Sequence, residues 1–312
     1  MNTCIRRFSM KAVLCTKYGS PQVLILQQVP KPAPKENDVL IKIHATTVTT
    51  GDVRVRGFNS PLLYWLPMRL FLGIRRPRKP ILGVELAGVV EEVGQRVSRF
   101  KKGDHVYAMT GMRFGAHAEY ICLPEDGIVA HKPQNVTFEE AAAIPFGGTT
   151  ALHFLRKGKI ESGQNVLIYG ASGAVGSAAV QLAKFFDTEV TAVCGPTNLE
   201  LVKSLGADHV VDYTKEDYTK SEKKYDIIFD AVGKTSTSKS HNALTANGKF
   251  VTVDGQGIAK ERKEDLVFLK ERIESGQMKP VIDRYYMLDQ ISEAHEYVET
   301  GRKKGNVVIR VV

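Results

Sequence analysis

The sequence predicts an α/β protein in which a β-barrel-like domain is followed by a doubly wound parallel-sheet domain. Three observations carry this. From Lys11 to about Pro133, short strand-like runs succeed one another between Gly and Pro with no long helix among them. At Thr137-Phe-Glu-Glu140 the chain takes the S/T-x-x-E form of a capping box, and the rhythm changes. Beyond it strand-like runs alternate with helical ones, the pattern of a parallel sheet covered by helices on both faces.

Taken in order, the first nine residues are basic but lack the apolar core and small-residue cleavage site of a secretory signal, and strand-like text begins at once, which disfavours an import signal. Barrel strands are expected at 11–18, 23–30, 38–48, 85–94, 103–109, 116–124 and 128–133. Within this half lies Phe58–Pro80, a connection unusually rich in Leu, Phe, Trp and Met. It is read first as a roof over a binding cleft, then as a satellite core, then as a surface for a membrane or partner. Its apolar stretch Ser60–Ile74 is broken by Pro67 and Arg69 and falls short of the roughly 18–20 residues of a bilayer span, so no transmembrane helix is predicted. The capping box opens an alanine-rich helix over 138–145. Strands are expected at 165–170, 189–194, 209–213, 225–230 and 249–254, with helices after the first of them, at 198–205 and at 237–245. Two helices, at 264–276 and around 291–301, and a terminal strand that can rejoin the first domain close the chain. These boundaries assign 1–133 with 266–312 to the barrel domain and 134–265 to the parallel-sheet domain.

At 312 residues, 43% hydrophobic and 25% charged, the chain suits two globular domains of roughly 150 residues each. A net charge of +9 favours anionic partners, which brings phosphorylated cofactors and nucleic acid into view. The basic residues are mostly dispersed, and the one dense cluster, Arg75-Arg76-Pro77-Arg78-Lys79, has no interleaved aromatics. It reads as a solvated loop, so nucleic acid is disfavoured. Cys4, Cys15, Cys122 and Cys194 are scattered without a C-x-x-C pair, which supports neither a disulfide framework nor a zinc ribbon and fits a reducing, cytoplasmic compartment.

The strongest motif is Val166-Leu-Ile-Tyr169, then Gly170-Ala-Ser-Gly173-Ala-Val-Gly176, then a helix with Val175, Ala179, Leu182, Ala183 and Phe186 at helical spacing. Strand, glycine turn and helix occur in the order that a dinucleotide fold requires. Glycines let the backbone approach a pyrophosphate, and the helix N-terminus offers it unpaired N–H groups and a positive dipole. The spacing is G-x-x-G-x-x-G rather than G-x-G-x-x-G, so the context carries the reading. Gly233-Lys234-Thr235 resembles half a P-loop, but the first glycine it needs would fall at Ile228. The second strand ends at Cys194-Gly195-Pro196-Thr197-Asn198 with no Asp or Glu for the ribose 2′-hydroxyl of NAD, which favours NADPH over NADH. No arginine stands there either. A 2′-phosphate would fall to Gly195, Thr197 or Asn198, with charge from Lys203 or Lys215.

Together these residues resemble the medium-chain dehydrogenase/reductase superfamily over nearly the whole length, on the zinc-independent, quinone oxidoreductase-like side. The matching segments include Leu82-Gly-Val-Glu-Leu-Ala-Gly-Val-Val90, Lys102-Gly-Asp-His-Val106, Gly148-Thr-Thr-Ala-Leu152, the glycine turn, Leu205-Gly-Ala-Asp208 and Lys304-Gly-Asn-Val-Val308. The resemblance implies a GroES-like barrel completed by the C-terminal strand, a Rossmann domain, and a site in the cleft between them. It carries over Ser172, Gly173, Ala174 and Val175 as pyrophosphate contacts and Tyr213 as a neighbour of the adenosine phosphate. Thr150, Val232, Val253 and Asn306 look like residues near the nicotinamide. Zinc-dependent members read Gly-His-Glu where this chain has Gly83-Val84-Glu85, and Cys where it has Thr49, so two expected ligands are replaced and no zinc is expected. Relatives also carry a longer stretch after Asp254, with a strand that pairs across a dimer. Its shortening here points to a monomer or a non-standard dimer.

The chemistry that follows is hydride delivery to an already electrophilic quinone or enone, with the enolate held by hydrogen bonds and the proton taken from water. Thr49, Asp52, Tyr64 and Thr150 are the candidates to assist, although Asp52 reads more readily as a turn or helix cap than as an acid, and Thr150 equally as a capping hydroxyl. A second reading, different in class, is an NADPH-binding redox sensor or nucleic-acid binder with little catalysis. A short-chain reductase is disfavoured because no Tyr-x-x-x-Lys occurs anywhere in the chain.

Overall fold

The computed structural model describes residues 9–58 and 62–312, with backbone alone at 62–64, 66 and 67. The chain forms two units: one runs up to Pro145 and resumes over Ile282–Val312, the other is Phe146–Val281.

In the first unit, β1 (Ser9–Cys15) and β2 (Leu24–Pro30) form an antiparallel hairpin. The long strand β3 (Asp38–Val48) ends at Thr49, which caps the helix α1 (Thr50–Gly57). A second helix, α2 (Leu62–Leu72), precedes β4 (Glu85–Val93), β5 (His105–Met109), β6 (Tyr120–Pro124) and β7 (Val129–His131). The expected connection over 58–80 is thus partly helical. Pro67 and the lack of a polar stripe hide that helix from a periodicity reading. The capping box forms as expected, Glu140 N donating to Thr137 Oγ1 and Thr137 N to Glu140 Oε2, but α3 covers only Phe138–Ala142 before the chain turns.

The second unit opens with α4 (Pro145–Lys157), followed by β8 (Asn165–Tyr169), α5 (Ala174–Phe185), β9 (Glu189–Cys194), α6 (Leu199–Ser204), β10 (His209–Asp212) and β11 (Tyr225–Asp230). The helix expected over 237–245 is only α7 (Thr237–Ser240) with a short 3-10 turn. The Tyr218 hydroxyl holds Ser240, and β12 (Leu244–Thr252) already begins where Leu244 pairs with Tyr225. No strand follows β12 before α8 (Lys263–Glu274). That helix belongs to the second unit, not the first as expected from residue 266 onward. Buried Asp265 is ion-paired with Arg156, and Leu269 packs where a side chain on Gly148 would sit. The chain therefore crosses back at 281 rather than 265.

On its return it forms β13 (Ile282–Met287), α9 (Ile291–Glu299) and β14 (Asn306–Arg310). β14 pairs antiparallel with β3, so the terminal strand does rejoin the first unit, and the unexpected β13 lies parallel to β14. The sheet order is β13-β14-β3-β4-β5-β7, with β6 on the far part of β3. Ile41, Ile43, Leu86, Val90 and Val106 fill the space inside it. Ile291, Ala294 and Val298 of α9 pack with Val13, Val48, Val53 and Val307 in a second cluster.

Beside that second cluster lies a buried polar group. His295 on α9 is fully buried, its ring meets that of His117 edge-on at 5.9 Å, and neither of its nitrogens finds a hydrogen-bond partner among the described residues. Burial first, then the nearby His117 and Arg56, hold its pKa well below 6.5. A histidine that refuses its proton in the fold but accepts it when unfolded contributes stability that is lost as pH falls below about 6.5, by at most about 1.4 kcal/mol per pH unit. The thermal midpoint is therefore expected to fall between pH 7 and pH 5 less steeply in His295→Leu than in the wild type, as calorimetry at the two pH values would read.

Candidate functional site

The strands of the second unit are all parallel and ordered β10-β9-β8-β11-β12, so the order reverses between β8 and β11. In open α/β sheets, ligands bind outside the carboxyl ends of the strands at such a switch point. The residues at those ends are Tyr213 after β10, Gly195 after β9, the glycine turn after β8, Val232 after β11 and Val253 after β12. Nearly all cofactor residues expected in this unit thus lie along one edge.

The turn itself is a close approach. Gly170 has φ +77, and a Cβ there would lie 2.5 Å from Val232 Cγ1. A Cβ on Gly176 would lie 2.1 Å from the Gly170 carbonyl oxygen, so α5 begins almost in contact with the turn. Gly173 is the N-cap and has no side chain to satisfy the first-turn N–H groups of Ala174 and Val175. A donor-rich helix start without Cβ atoms in the way fits a pyrophosphate. Next to it, Asn198 Nδ2 donates to Ser172 Oγ at 3.1 Å, tying the turn after β9 to the turn after β8. Tyr213 is 56% exposed, and its hydroxyl is 3.4 Å from where a Cβ on Gly195 would be. Ser172, Gly195, Asn198 and Tyr213 therefore form one patch, with no carboxylate at the end of β9. On β10, the Thr214 hydroxyl and amide hold the Asp212 carboxyl below the usual carboxylate range. Burial, with Asp212 nearby, pushes the Cys194 thiol up to about 11, which leaves it no nucleophile.

Sequence reasoning missed Asp230. It is fully buried, and its Oδ1 accepts from Val232 N (3.1 Å) and Gly233 N (2.9 Å) while Oδ2 accepts from Thr235 N (2.9 Å). It shapes the loop that presents Val232, and its backbone oxygen accepts from Val253 N at 3.1 Å. The signal was an Asp closing an apolar strand before a turn. The same bonds account for Gly233-Lys234-Thr235 as a capped turn. Thr150 lies inside α4 and does not cap it; it is 7% exposed and its hydroxyl has no hydrogen-bond partner among the described residues.

In the first unit, Thr49 and Asp52 are brought together and spent on each other. Thr49 N and Oγ1 donate to Asp52 Oδ2 at 2.9 and 2.6 Å, Asp52 N donates to Thr49 Oγ1 at 3.2 Å, and Gly83 N donates to Asp52 Oδ1 at 2.9 Å. Both oxygens of a fully buried carboxyl are thus engaged as acceptors, and the box contributes roughly 0.5–2 kcal/mol as a cap. Asn306, 5% exposed, donates Nδ2 to Ala143 O at 2.9 Å. The side chain of Tyr64 lies outside the described residues. Where zinc-dependent sequences have His and Cys, this fold has buried Val84 and Thr49, and Glu85 is fully buried with the Thr47 hydroxyl on its Oε1. One carboxylate among apolar and hydroxyl side chains does not fit the three convergent ligands of a catalytic zinc. No group of three or more His, Cys, Asp or Glu able to hold a metal occurs among the described residues.

Comparison with known proteins agrees with this geometry. Residues 35–134 match the family model of the alcohol dehydrogenase GroES-like domain, and 174–276 that of the zinc-binding dehydrogenase, with a second model of that description matching 257–309. The chain is 37% identical to the 2-methylene-furan-3-one reductase of Solanum lycopersicum over 97% of its own length and 79% of that protein's. It is 33% identical to the chloroplastic NADPH-dependent alkenal/one oxidoreductase of Arabidopsis thaliana, over 96% and 79%. The solved quinone oxidoreductase from Coxiella burnetii superposes with a TM-score of 0.87 at 28% identity, covering 97% of this chain and 100% of that one.

The glycine turn yields a direct expectation. Gly176→Val puts a side chain into the Gly170 carbonyl and must push α5 off the turn, so NADPH affinity should fall by about tenfold or more in a fluorescence titration, equivalent to about 1.4 kcal/mol or more.

Proposed function

The chain belongs to the medium-chain dehydrogenase/reductase superfamily, and from that premise we propose that it is a zinc-independent, NADPH-dependent oxidoreductase that reduces quinones or α,β-unsaturated carbonyls by hydride transfer. The observation that carries the reading is the Gly170–Gly176 turn opening α5 at the point where the strand order reverses, beside a β9 end that has no carboxylate. The relatives' names, a furanone reductase, an alkenal/one oxidoreductase and a quinone oxidoreductase, support the substrate class.

When bound, NADPH supplies the hydride. The first-turn N–H groups of Ala174 and Val175, with Ser172 and Gly173, hold the pyrophosphate. Gly195, Asn198 and Tyr213 form the patch for the adenosine 2′-phosphate, where a carboxylate would repel it. Asp230 fixes the loop of Val232, so Val232 and Val253 present a rigid apolar and backbone surface to the nicotinamide. Asn306 stays a cofactor candidate by its matched position alone. Of the hydroxyl candidates, Thr150 retains an uncommitted O–H and is the one assigned to the developing oxyanion. Thr49 and Asp52 serve as a positioning pair rather than as the acid, and Tyr64 stays a candidate by its matched position alone. The proton comes from water.

The donor set at Val84, Thr49 and Glu85 supports zinc independence. The unpaired thiols of Cys15, Cys122 and Cys194 support a reducing, cytoplasmic setting. The lack of a strand between β12 and α8 supports a monomer, or a dimer that does not use that edge. Light scattering should read one chain, or a dimer that survives alteration of the edge of β12, and a dimer that dissociates when that edge is altered would overturn this.

NADPH oxidation followed by absorbance against quinones, enones and simple aldehydes, with EDTA present, tests the reaction. EDTA-insensitive turnover of quinones or enones is expected. NADPH binding with no turnover on any electrophile would instead favour the redox-sensor reading.

A further inference from the structure

The first unit presents a group of apolar side chains that the described residues leave exposed. On α2 and in the turn behind it, Trp65, Leu70, Phe71 and Ile74 are 44%, 55%, 62% and 66% exposed. Large apolar side chains scattered singly over a surface need no explanation, but several within one short stretch mark an interaction surface.

The face is held in place rather than left loose. The Arg69 guanidinium lies over the rings of Phe58 at 3.9 Å, Tyr18 at 4.6 Å and Trp65 at 5.0 Å, and its Nη1 donates to Ile74 O at 2.5 Å. The Tyr18 hydroxyl donates to Gly73 O at 2.9 Å, and Arg78 N closes the turn on Leu72 O at 2.7 Å. The inward side of α2 is thereby anchored through Arg69 and buried Leu72, and Leu70 and Phe71 on its other side are exposed among the described residues.

Charge decides what fits there. Directly after Ile74 come Arg75, Arg76, Arg78 and Lys79, all exposed, and no Asp or Glu occurs anywhere from Val53 to Val84. We propose that this face docks the protein on an anionic lipid surface, with Leu70, Phe71 and Ile74 entering the boundary between headgroups and acyl chains and the arginines lying at the level of the phosphates. A second copy of this chain fits less well, because a two-fold contact would bring the same arginines face to face without a carboxylate from the stretch to neutralise them. The contact is peripheral: α2 has 11 residues, and no helix among the described residues is long and apolar enough to cross a membrane. The inference stands independently of the reductase reading.

Co-sedimentation of the full chain with phosphatidylcholine vesicles, and with vesicles containing about a third phosphatidylserine, is the test. The protein should sediment with the serine-containing vesicles at least about tenfold more strongly than with phosphatidylcholine alone, and the excess should shrink as salt is raised. Two variants probe the two halves of the contact: Leu70→Ser with Phe71→Ser and Ile74→Ser, and Arg75→Glu with Arg76→Glu and Arg78→Glu. Each should lose at least about tenfold in partitioning. An unchanged far-UV circular dichroism spectrum and an unchanged thermal midpoint report that the protein remains folded. If the apolar variant fails to fold, the all-surface arginine variant decides alone. Unchanged partitioning of the arginine variant, or no sedimentation of the wild type with anionic vesicles, overturns the proposal. So does a lipid-free dimer that the apolar substitutions dissociate, which would put a second copy on the face.

Discussion

Everything at the carboxyl edge of the parallel sheet depends on one close approach, in which the Gly170 carbonyl oxygen occupies the place that a Cβ on Gly176 would take. Because α5 can begin that near the end of β8, its unpaired N–H groups start at the carboxyl edge of the sheet, next to the point where the strand order reverses. A helix displaced by even a methyl group would carry its dipole away from the ligand and break the register of the neighbouring turns, which are tied to this one through Asn198 and Ser172. The geometry is cheap only because both positions are glycine.

The buried acids follow a common logic. Asp52 receives the amides of Thr49 and Gly83, and Asp230 receives those of Val232, Gly233 and Thr235. Each carboxyl stands in for a stretch of missing secondary structure by taking up backbone N–H groups that a loop would otherwise bury unpaired. Such groups are poorly suited to proton transfer, since moving a proton onto them would abandon the loops they organise.

How far the molecule could be read from its sequence varies with the physics of each segment. The glycine turn, the alternation around β8 to β11 and the Thr137–Glu140 box were legible because strict local rules write them: glycine where no Cβ fits, a hydroxyl and a carboxylate three residues apart. Gly195 and Asn198 were candidates from the end of a strand, whereas Tyr213 entered through the family resemblance. α2 was not legible, because a helix apolar nearly all round with Pro67 inside it has no 3.6-residue contrast. β13 was missed because Asp283, Arg284, Tyr285 and Tyr286 show no apolar alternation; its place is fixed by parallel pairing with β14, a partner distant in sequence. The return of the chain at 281 was equally hidden, since α8 is attached to the second unit by contacts between residues distant in sequence: the Arg156–Asp265 pair, Leu269 against Gly148, and Phe268 and Arg272 on the Phe185 ring. Asp230 was visible as a residue but not as a cap, because three of its bonds form only once the loop folds back.

The strandless stretch after β12 makes the molecule unusually open to grafting. Gly255 and Gly257 have positive φ, a Cβ on either would touch nothing, and Ile258 is 78% exposed. The stretch is fastened on either side of that tip by Lys157 Nζ on Gln256 O at 3.0 Å and by Lys260 N on His153 Nδ1 at 3.4 Å. Foreign sequence spliced in between Gly257 and Ile258 would start and finish at two tethered points of a rigid scaffold, without interrupting any ladder. A reporter peptide or a reactive handle for surface immobilisation could be carried at that position as cargo.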